Sequence, residues 1–179
     1  MIDCGKTMDI SDQDKYILGE TNEQFTCVDA EENQKITLTM IEQIEFNLDI
    51  LSHGFAPEIY NNEACCEAIE TLALRSRHSR VRILLHNPER VSSRGHLVMY
   101  LSRRLGSFIQ VRAVAEHHKS IQETFMIADG IGVMYRPYAD SLMATVNFKD
   151  RPTAKELLKL FEQLWENAEP DPNSRYLLI

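Results

Sequence analysis

Apolar residues recur along the chain at two spacings, one typical of helices and one typical of strands. Helical spacing predicts helices at 37–44, 61–78, 92–105 and 150–169. Alternating or continuous apolar runs predict strands at 46–51, 81–85, 108–114, 124–128, 133–136 and 142–148. Asn61 or Asn62 is expected to cap the second helix, and Gly106 to end the third in the left-handed conformation. Asp129-Gly130 is a strong hairpin-turn signal.

The order of these elements predicts the fold class. Strands and helices alternate early, which implies parallel pairing, and the later strands follow one another closely, which implies antiparallel hairpins. We therefore expect an α/β protein with a mixed β-sheet flanked by helices. Residues 1–33 are polar and acidic and predict an N-terminal arm with short strands at 16–18 and 25–28, whereas residues 34–179 predict the domain. The apolar tail at 176–179 is expected to dock on it.

Composition argues against several classes of protein. No apolar run approaches the roughly 18 residues of a membrane span, so no membrane association is expected. Residues 1–14 carry four Asp and no apolar core, which is unlike a secretory signal. The four cysteines lack the spacing of a metal site and read as small core residues, which favours a reducing, cytoplasmic location. No metal or cofactor is expected.

Charge is distributed unevenly along the chain. The net charge is −8, yet residues 75–119 hold 10 basic and 2 acidic side chains and five of the six histidines. If these charges converge on one face, they would attract a phosphate-containing or other acidic ligand. If they spread over loops and pair with the acidic residues 1–74, they have no such role. The sequence alone leaves both possibilities open.

One octet points to a family. Residues 122–129 read Gln-Glu-Thr-Phe-Met-Ile-Ala-Asp, and this frame resembles the His-x-Lys-x4-Asp motif of the phospholipase D superfamily, with Asp129 matching. The order of elements over about residues 36–169 resembles one half of such a protein. The short motifs Leu84-Leu85-His86-Asn87-Pro88, Tyr135-Arg136-Pro137 and Leu164-Trp165-Glu166 also resemble an uncharacterised bacterial family of these domains, otherwise found attached to acetyltransferase domains.

The resemblance implies a scaffold that has lost its usual chemistry. In active relatives a His attacks phosphorus, a second His protonates the leaving group and the lysines hold phosphate oxygens. Gln122 stands in place of the His and cannot attack, because its amide nitrogen has no available lone pair. Thr124 stands in place of the Lys and carries no charge. The expected function is a non-catalytic binding or interaction module, and the family's paired half-sites predict a homodimer.

The ligand-binding candidates are Gln122, Thr124, Asp129, Arg136 and His96. Arg136 could hold an anion, and His96 lies near a helix start, where backbone N–H groups favour anions. Ordinary structural roles remain open for three of them: Asp129 as a turn residue, Arg136 as a solvated strand residue and His96 as a helix-surface or interface residue. The expected ligand is a small anion or phosphate-containing molecule.

Two other functions stay open at the level of sequence. One is a phosphodiesterase or hydrolase with a rearranged site built on His96, His117 or His118. The other is a weak nucleic-acid-binding regulator, although the acidic net charge and the lack of interleaved aromatic and basic residues make nucleic acid an unlikely partner.

Overall fold

The structure is a computed structural model, and it describes residues 15–170. Within that range the strands are β1 (Phe25–Cys27), β2 (Asn47–Ser52), β3 (Arg80–Leu85), β4 (Ile109–Ala113), β5 (Thr124–Ala128), β6 (Gly132–Arg136), β7 (Ala144–Asn147) and β8 (Glu169–Pro170). The helices are α1 (Ala30–Glu42), α2 (Pro57–Tyr60), α3 (Glu63–Arg75), α4 (Pro88–Ser93), α5 (Leu97–Arg104) and α6 (Arg151–Asn167). A 3₁₀ turn, Glu116–His118, precedes β5.

The strands form one mixed sheet in the order β1-β7-β6-β5-β2-β3-β4-β8. The central strands β2, β3 and β4 are parallel, and β5, β6, β7 and β1 continue the sheet on one side as antiparallel neighbours. This confirms the predicted α/β class and mixed sheet. The parallel strands are joined through helices and the antiparallel ones through short turns, as the spacing of the elements requires.

Helices cover both faces of the sheet, because alternate strand residues point to opposite sides. One core includes Leu48 and Ile50 of β2 together with apolar residues of α1 to α5. The other includes Leu51 of β2 and Phe125 of β5 together with residues of α6. The central strands are therefore buried on both sides, and apart from the buried Arg82 and Asp49 their interior positions are largely apolar.

An ionic cluster crosses the face under α6. Arg82 of β3 is paired in register with Asp49 of β2, and its Nε donates to Asp49 Oδ1 at 2.6 Å. Its two Nη atoms donate to the Glu162 carboxylate at 2.8 and 3.0 Å, and its guanidinium lies 4.8 Å from the Phe161 ring centroid. Hydrogen bonds from Arg82 lower the pKa of Glu162. Arg82 thus balances two carboxylates inside the fold.

Several predicted boundaries are wrong. The first helix begins seven residues before the predicted position 37, at Ala30, because the Asp29 side chain accepts a hydrogen bond from the Glu32 N–H and caps it. The predicted helix at 92–105 is two helices, α4 and α5, with Gly95 between them at φ +67. Gly106 is not in the left-handed conformation that was predicted for it.

The local signals on the remaining elements are confirmed. Asn62 caps α3 by accepting the Cys65 N–H, and Asp150 caps α6 by accepting the Thr153 N–H. Asp129 and Gly130 both have positive φ, and the Ile131 N–H donates to the Ala128 carbonyl, which closes the tight β5–β6 turn.

The described part of the predicted N-terminal arm contributes to the fold. Residues 25–27 form β1 and pair with β7, whereas 16–18 form no strand. The predicted boundary between residues 33 and 34 falls inside α1. Residues 1–14 and the tail at 176–179 lie outside the described residues. No helix within residues 15–170 has the length and apolar content needed to cross a membrane.

Candidate functional site

A polar cleft lies at the edge of the sheet where the parallel strands end. It has a volume of about 550 Å³ and is bordered by the C-terminal ends of β2 and β6 and by the start of β5. We call it the first cleft. Its charged and imidazole side chains are Arg136, Arg90, Arg94, His53, Glu58 and Asp140. The carboxyl edge of parallel strands is the usual place for a ligand in an α/β sheet.

Arg136 lines the first cleft and is almost completely buried, at 5% exposure. Its Nη2 donates to Asn33 Oδ1 at 2.6 Å and contacts the Met134 sulfur at 3.4 Å, while its Nε has no hydrogen-bond partner. Among the ion pairs of residues 15–170, none includes Arg136. A buried guanidinium is normally paired with a carboxylate, so this arrangement is unusual.

The protic groups around Arg136 do not neutralise it. Burial raises the pKa of the Tyr60 phenol. Burial and the neighbouring Glu32 raise the pKa of the Cys27 thiol to about 12. Both groups are therefore uncharged at neutral pH, and the groups that hydrogen-bond Arg136, namely the Asn33 amide, the Met134 sulfur and the Tyr60 phenol, are all neutral.

Two of the motif positions reach the same cleft. Thr124 opens β5, pairs with Arg136 across the β5–β6 ladder and is buried. Gln122 lies two residues earlier on an exposed loop, and both side chains line the first cleft. The structure therefore brings together Gln122, Thr124 and Arg136, three of the five residues predicted as ligand-binding candidates.

Asp129 is not part of this group. It follows the last residue of β5, at the opposite edge of the sheet, and its carboxylate accepts the backbone N–H groups of Glu45, Phe46 and Asn47 at 2.7–2.9 Å. The octet spans the whole of β5, so its two ends are separated by the length of that strand. Asp129 anchors the entry to β2 and has no place in the cleft.

The histidines named in the sequence analysis also lie elsewhere. His96 is buried against Phe55: its Nε2 donates to the Phe55 carbonyl at 3.1 Å and its Nδ1 accepts from the Val98 N–H. It is a helix cap rather than a helix-surface residue. His117 and His118 pack against each other on the 3₁₀ turn, with ring centroids 4.1 Å apart, and do not line the first cleft. The proposed rearranged site at these residues is not assembled.

A different histidine lines the first cleft. His53 follows β2, and its Nε2–H donates to the Ile121 carbonyl at 2.9 Å. Its ring stacks on that of His86, with centroids 3.8 Å apart and planes within 8°. His86 follows β3, is buried, and has an Nε2 atom without a hydrogen-bond partner. The two rings together form a wall at the carboxyl edge of β2 and β3.

Comparison with known proteins places the chain in a family. Residues 29–177 match the sequence family described as a domain of unknown function, DUF7931. The chain belongs to this family. No curated protein matches it in sequence.

Solved structures show which fold this DUF7931 domain shares. Nuc from Salmonella typhimurium, a phospholipase D family member, has a TM-score of 0.58 and 18% identity, with 83% of this chain and 98% of that chain covered. NucT from Helicobacter pylori has a TM-score of 0.61 and 12% identity over 83% and 98%. The DUF7931 domain therefore has a phospholipase D-like fold.

An archaeal chromatin protein, TrmBL2, described as showing a novel mode of DNA binding, matches with a TM-score of 0.59 and 17% identity. The match covers 82% of this chain and 53% of TrmBL2, so the DUF7931 domain spans about half of that protein. At these identities each likeness describes the fold alone.

The sequence analysis missed His53, Asn87 and Arg90. His53 and Asn87 could have been predicted from their positions. His53 directly follows β2 and Asn87 lies two residues after the end of β3, at the edge where the polar residues that follow parallel strands meet. Of the ten basic residues in 75–119, Arg90 and Arg94 line the first cleft. Others pair with the acidic N-terminal half, as Arg104 does with Glu70. Some of the basic side chains therefore converge on the first cleft, whereas others pair with the acidic N-terminal half.

Described side chains do not suggest a metal site. Within residues 15–170, no group of three or more His, Cys, Asp and Glu side chains is placed to hold a metal ion.

The buried His86 makes stability depend on pH. Burial, with smaller contributions from His53 and Lys119, lowers its pKa from 6.5 to about 4. Between these values the unfolded chain binds more protons than the folded one, so stability falls as the pH decreases through this window. Between these two pH values we expect the free energy of unfolding of His86→Phe to decrease by about 2–3 kcal/mol less than that of the wild type, since one pKa unit corresponds to roughly 1.4 kcal/mol.

Urea unfolding at the two ends of the window measures this effect. His78→Phe, at an exposed position, serves as the control and should keep the wild-type dependence on pH. Equal slopes in wild type and His86→Phe would show that His86 titrates normally.

Proposed function

We propose that the domain binds a small phosphate-type anion in the first cleft and does not catalyse phosphoryl transfer. The observation that carries this proposal is Arg136, a buried guanidinium that lines the cleft without a carboxylate partner among the described residues. The ligand would supply the missing negative charge.

The energetics of Arg136 support a ligand-binding role over a structural one. A buried charge without a counter-ion destabilises a fold by several kcal/mol unless something compensates it. Its unpartnered Nε–H and the nearby Thr124 hydroxyl are donors of the kind that bind phosphate oxygens. Arg90 and Arg94 add positive charge at the rim, against Glu58 and Asp140.

The composition of the cleft supports binding without catalysis. The phospholipase D reaction needs one imidazole as nucleophile and another as acid. Gln122 occupies the position of the nucleophile and Thr124 that of the phosphate-holding lysine. Among the described lining residues His53 is the one imidazole, and its Nε2–H is already donated to the Ile121 carbonyl. A single copy of the chain therefore lacks the acid and base pair.

Phosphate titration tests the proposal. We expect inorganic phosphate to bind the wild type by calorimetry, and Arg136→Met to weaken binding by at least about tenfold, the equivalent of one lost charge-assisted hydrogen bond. The free energy of unfolding of Arg136→Met should be unchanged or higher, because a charge without a counter-ion is removed. Arg77→Met, at an exposed position, is the matched control. Wild-type affinity in Arg136→Met would refute the assignment.

We also propose that the domain forms a homodimer next to this cleft. The loop after β6 carries the exposed apolar side chains Tyr138, Leu142 and Met143, and Leu142 lines the first cleft. A second copy would cover them, in keeping with the paired half-sites of phospholipase D-like proteins and with the commonness of twofold dimers.

Light scattering after size-exclusion chromatography tests the dimer. We expect twice the chain mass of 20.6 kDa for the wild type at micromolar concentration, and the monomer mass for Tyr138→Asp combined with Met143→Asp, because charges in an apolar contact are costly to desolvate. Leu74→Asp, at an exposed position on α3, should leave the dimer intact. A monomeric wild type would contradict the proposal.

A further inference from the structure

A second cleft lies beside the first at the same edge of the sheet. Its volume is about 540 Å³, and it is lined by residues that follow β3 and β4. Asn87 and Arg90 line both clefts, so the two lie side by side and share a border. The stacked rings of His53, which lines the first cleft, and His86, which lines the second, separate them.

The second cleft has the features of a site for an organic group. His86 is 4% exposed, and its Nε2 is a buried polar atom without a partner. Such an atom is unfavourable unless a hydrogen-bonding group reaches it. Pro88, Val114 and Ala115 give the cleft an apolar wall against which carbon atoms can pack. Directed polar atoms on an apolar wall are typical of small-molecule sites.

Charge distinguishes the two clefts. The first has the arginines Arg90, Arg94 and Arg136 against two carboxylates. The second has Arg90 and Lys119 against three carboxylates, and Lys119 is paired with one of them, Glu116, at 2.6 Å. A second phosphate is therefore disfavoured in the second cleft, whereas hydroxyl or amine donors would find carboxylate acceptors there.

We infer that the ligand is a phosphate ester, with its phosphate at Arg136 in the first cleft and a neutral, hydroxyl- or amine-bearing group in the second. This inference rests on the proposed function, because it takes the first cleft as the phosphate site. Arg90, which lines both clefts, lies where the phosphate joins the organic group. The polyol of a glycerol phosphate and the nucleoside of a mononucleotide both have this chemistry.

Four probes separate the possibilities: inorganic phosphate, methyl phosphate, glycerol 3-phosphate and adenosine 5′-monophosphate, each titrated by calorimetry. We expect at least one of the two larger esters to bind the wild type about tenfold or more tightly than methyl phosphate. Methyl phosphate and inorganic phosphate should bind alike, because neither reaches the second cleft. Whichever larger ester is preferred identifies the organic group as polyol or nucleoside.

Two variants test the second cleft itself. Ala115→Leu should fill part of it and abolish the preference for the larger ester while leaving inorganic phosphate binding unchanged; Ala64→Leu, on the exposed face of α3, should behave as wild type. His86→Phe keeps a ring for stacking on His53 but removes the polar atom, and it should reduce the preference several-fold.

The outcomes distinguish the two proposals. If inorganic phosphate binds through Arg136 but no larger ester is preferred, or if the preference survives both Ala115→Leu and His86→Phe, the second cleft is not a ligand site and this inference fails alone. If none of the four probes binds the wild type, the anion site fails and this inference fails with it.

Discussion

Replacing Arg82 by methionine is expected to lower the free energy of unfolding by about 3–5 kcal/mol. Arg82 donates to Asp49 and Glu162 at once, and both Arg82 and Asp49 are buried. Removing the guanidinium leaves the Asp49 carboxylate without a counter-ion inside the fold, which is far more costly than losing an exposed ion pair. Equilibrium unfolding in urea at neutral pH measures the difference.

Two controls separate the loss of charge from the loss of packing. Arg80→Met changes an exposed arginine on the same strand and should cost less than about 1 kcal/mol. Combining Asp49→Leu with Arg82→Met should restore most of the stability, because an apolar pair can replace a buried ion pair. If the double variant is no more stable than Arg82→Met, the cost comes from packing around Phe161 rather than from charge.

Replacing Asp129 by alanine is expected to lower the free energy of unfolding by about 3–4 kcal/mol without changing phosphate affinity. Its carboxylate accepts three backbone N–H groups, from Glu45, Phe46 and Asn47, and its φ of +50 is unfavourable for alanine. The strand β5 separates it from the first cleft, so the loss concerns the fold alone. Urea unfolding and phosphate titration of the same variant provide both measurements.

Asp129→Asn is the matched comparison. Asparagine tolerates the left-handed conformation and keeps one oxygen that can accept the Phe46 and Asn47 N–H groups, so about 1–2 kcal/mol should be lost. If a variant at Asp129 weakened phosphate binding about tenfold and left the free energy of unfolding unchanged, Asp129 would belong to the ligand site and its structural assignment would be wrong.

The fold was largely predictable because its signals are local. The strand at 124–128, the Asp129-Gly130 turn and the apolar spacing of α6 each depend on residues close in sequence. The errors arose where a cap or a glycine overrode hydrophobic spacing. Asp29 starts α1 in a polar stretch, and Gly95 divides the segment that spacing alone treats as one helix.

The site was less predictable because it depends on which end of each strand faces the cleft. Gln122 and Thr124 lie at one end of β5 and Asp129 at the other, although the motif presents them as one octet. Arg136 reaches the cleft because β6 runs antiparallel to β5 and ends beside its start, while its hydrogen-bond acceptor, Asn33, lies 103 residues away in the sequence. Its buried state and missing carboxylate partner could not be read from sequence, since both depend on the packing of Asn33 and Tyr60.

The phospholipase D-like fold does not by itself decide the function of the domain. Fold does not determine chemistry, which depends on particular side chains in the site. The proposed function therefore rests on the side chains of the first cleft, above all the buried Arg136 guanidinium beside Thr124. The net charge of −8 and the carboxylates in both clefts favour the proposed small anion over a polyanionic strand as the ligand.

Equilibrium dialysis with 4-nitrophenyl phosphate, followed by ³¹P NMR of the protein chamber, tests binding without catalysis most directly. This activated monoester reports even slight phosphoryl transfer. We predict a higher concentration of intact ester in the chamber that holds the wild type than in the opposite chamber. With Arg136→Met the two concentrations should be equal. An even distribution across the membrane, or release of nitrophenol that is lost in His53→Asn, would contradict the account.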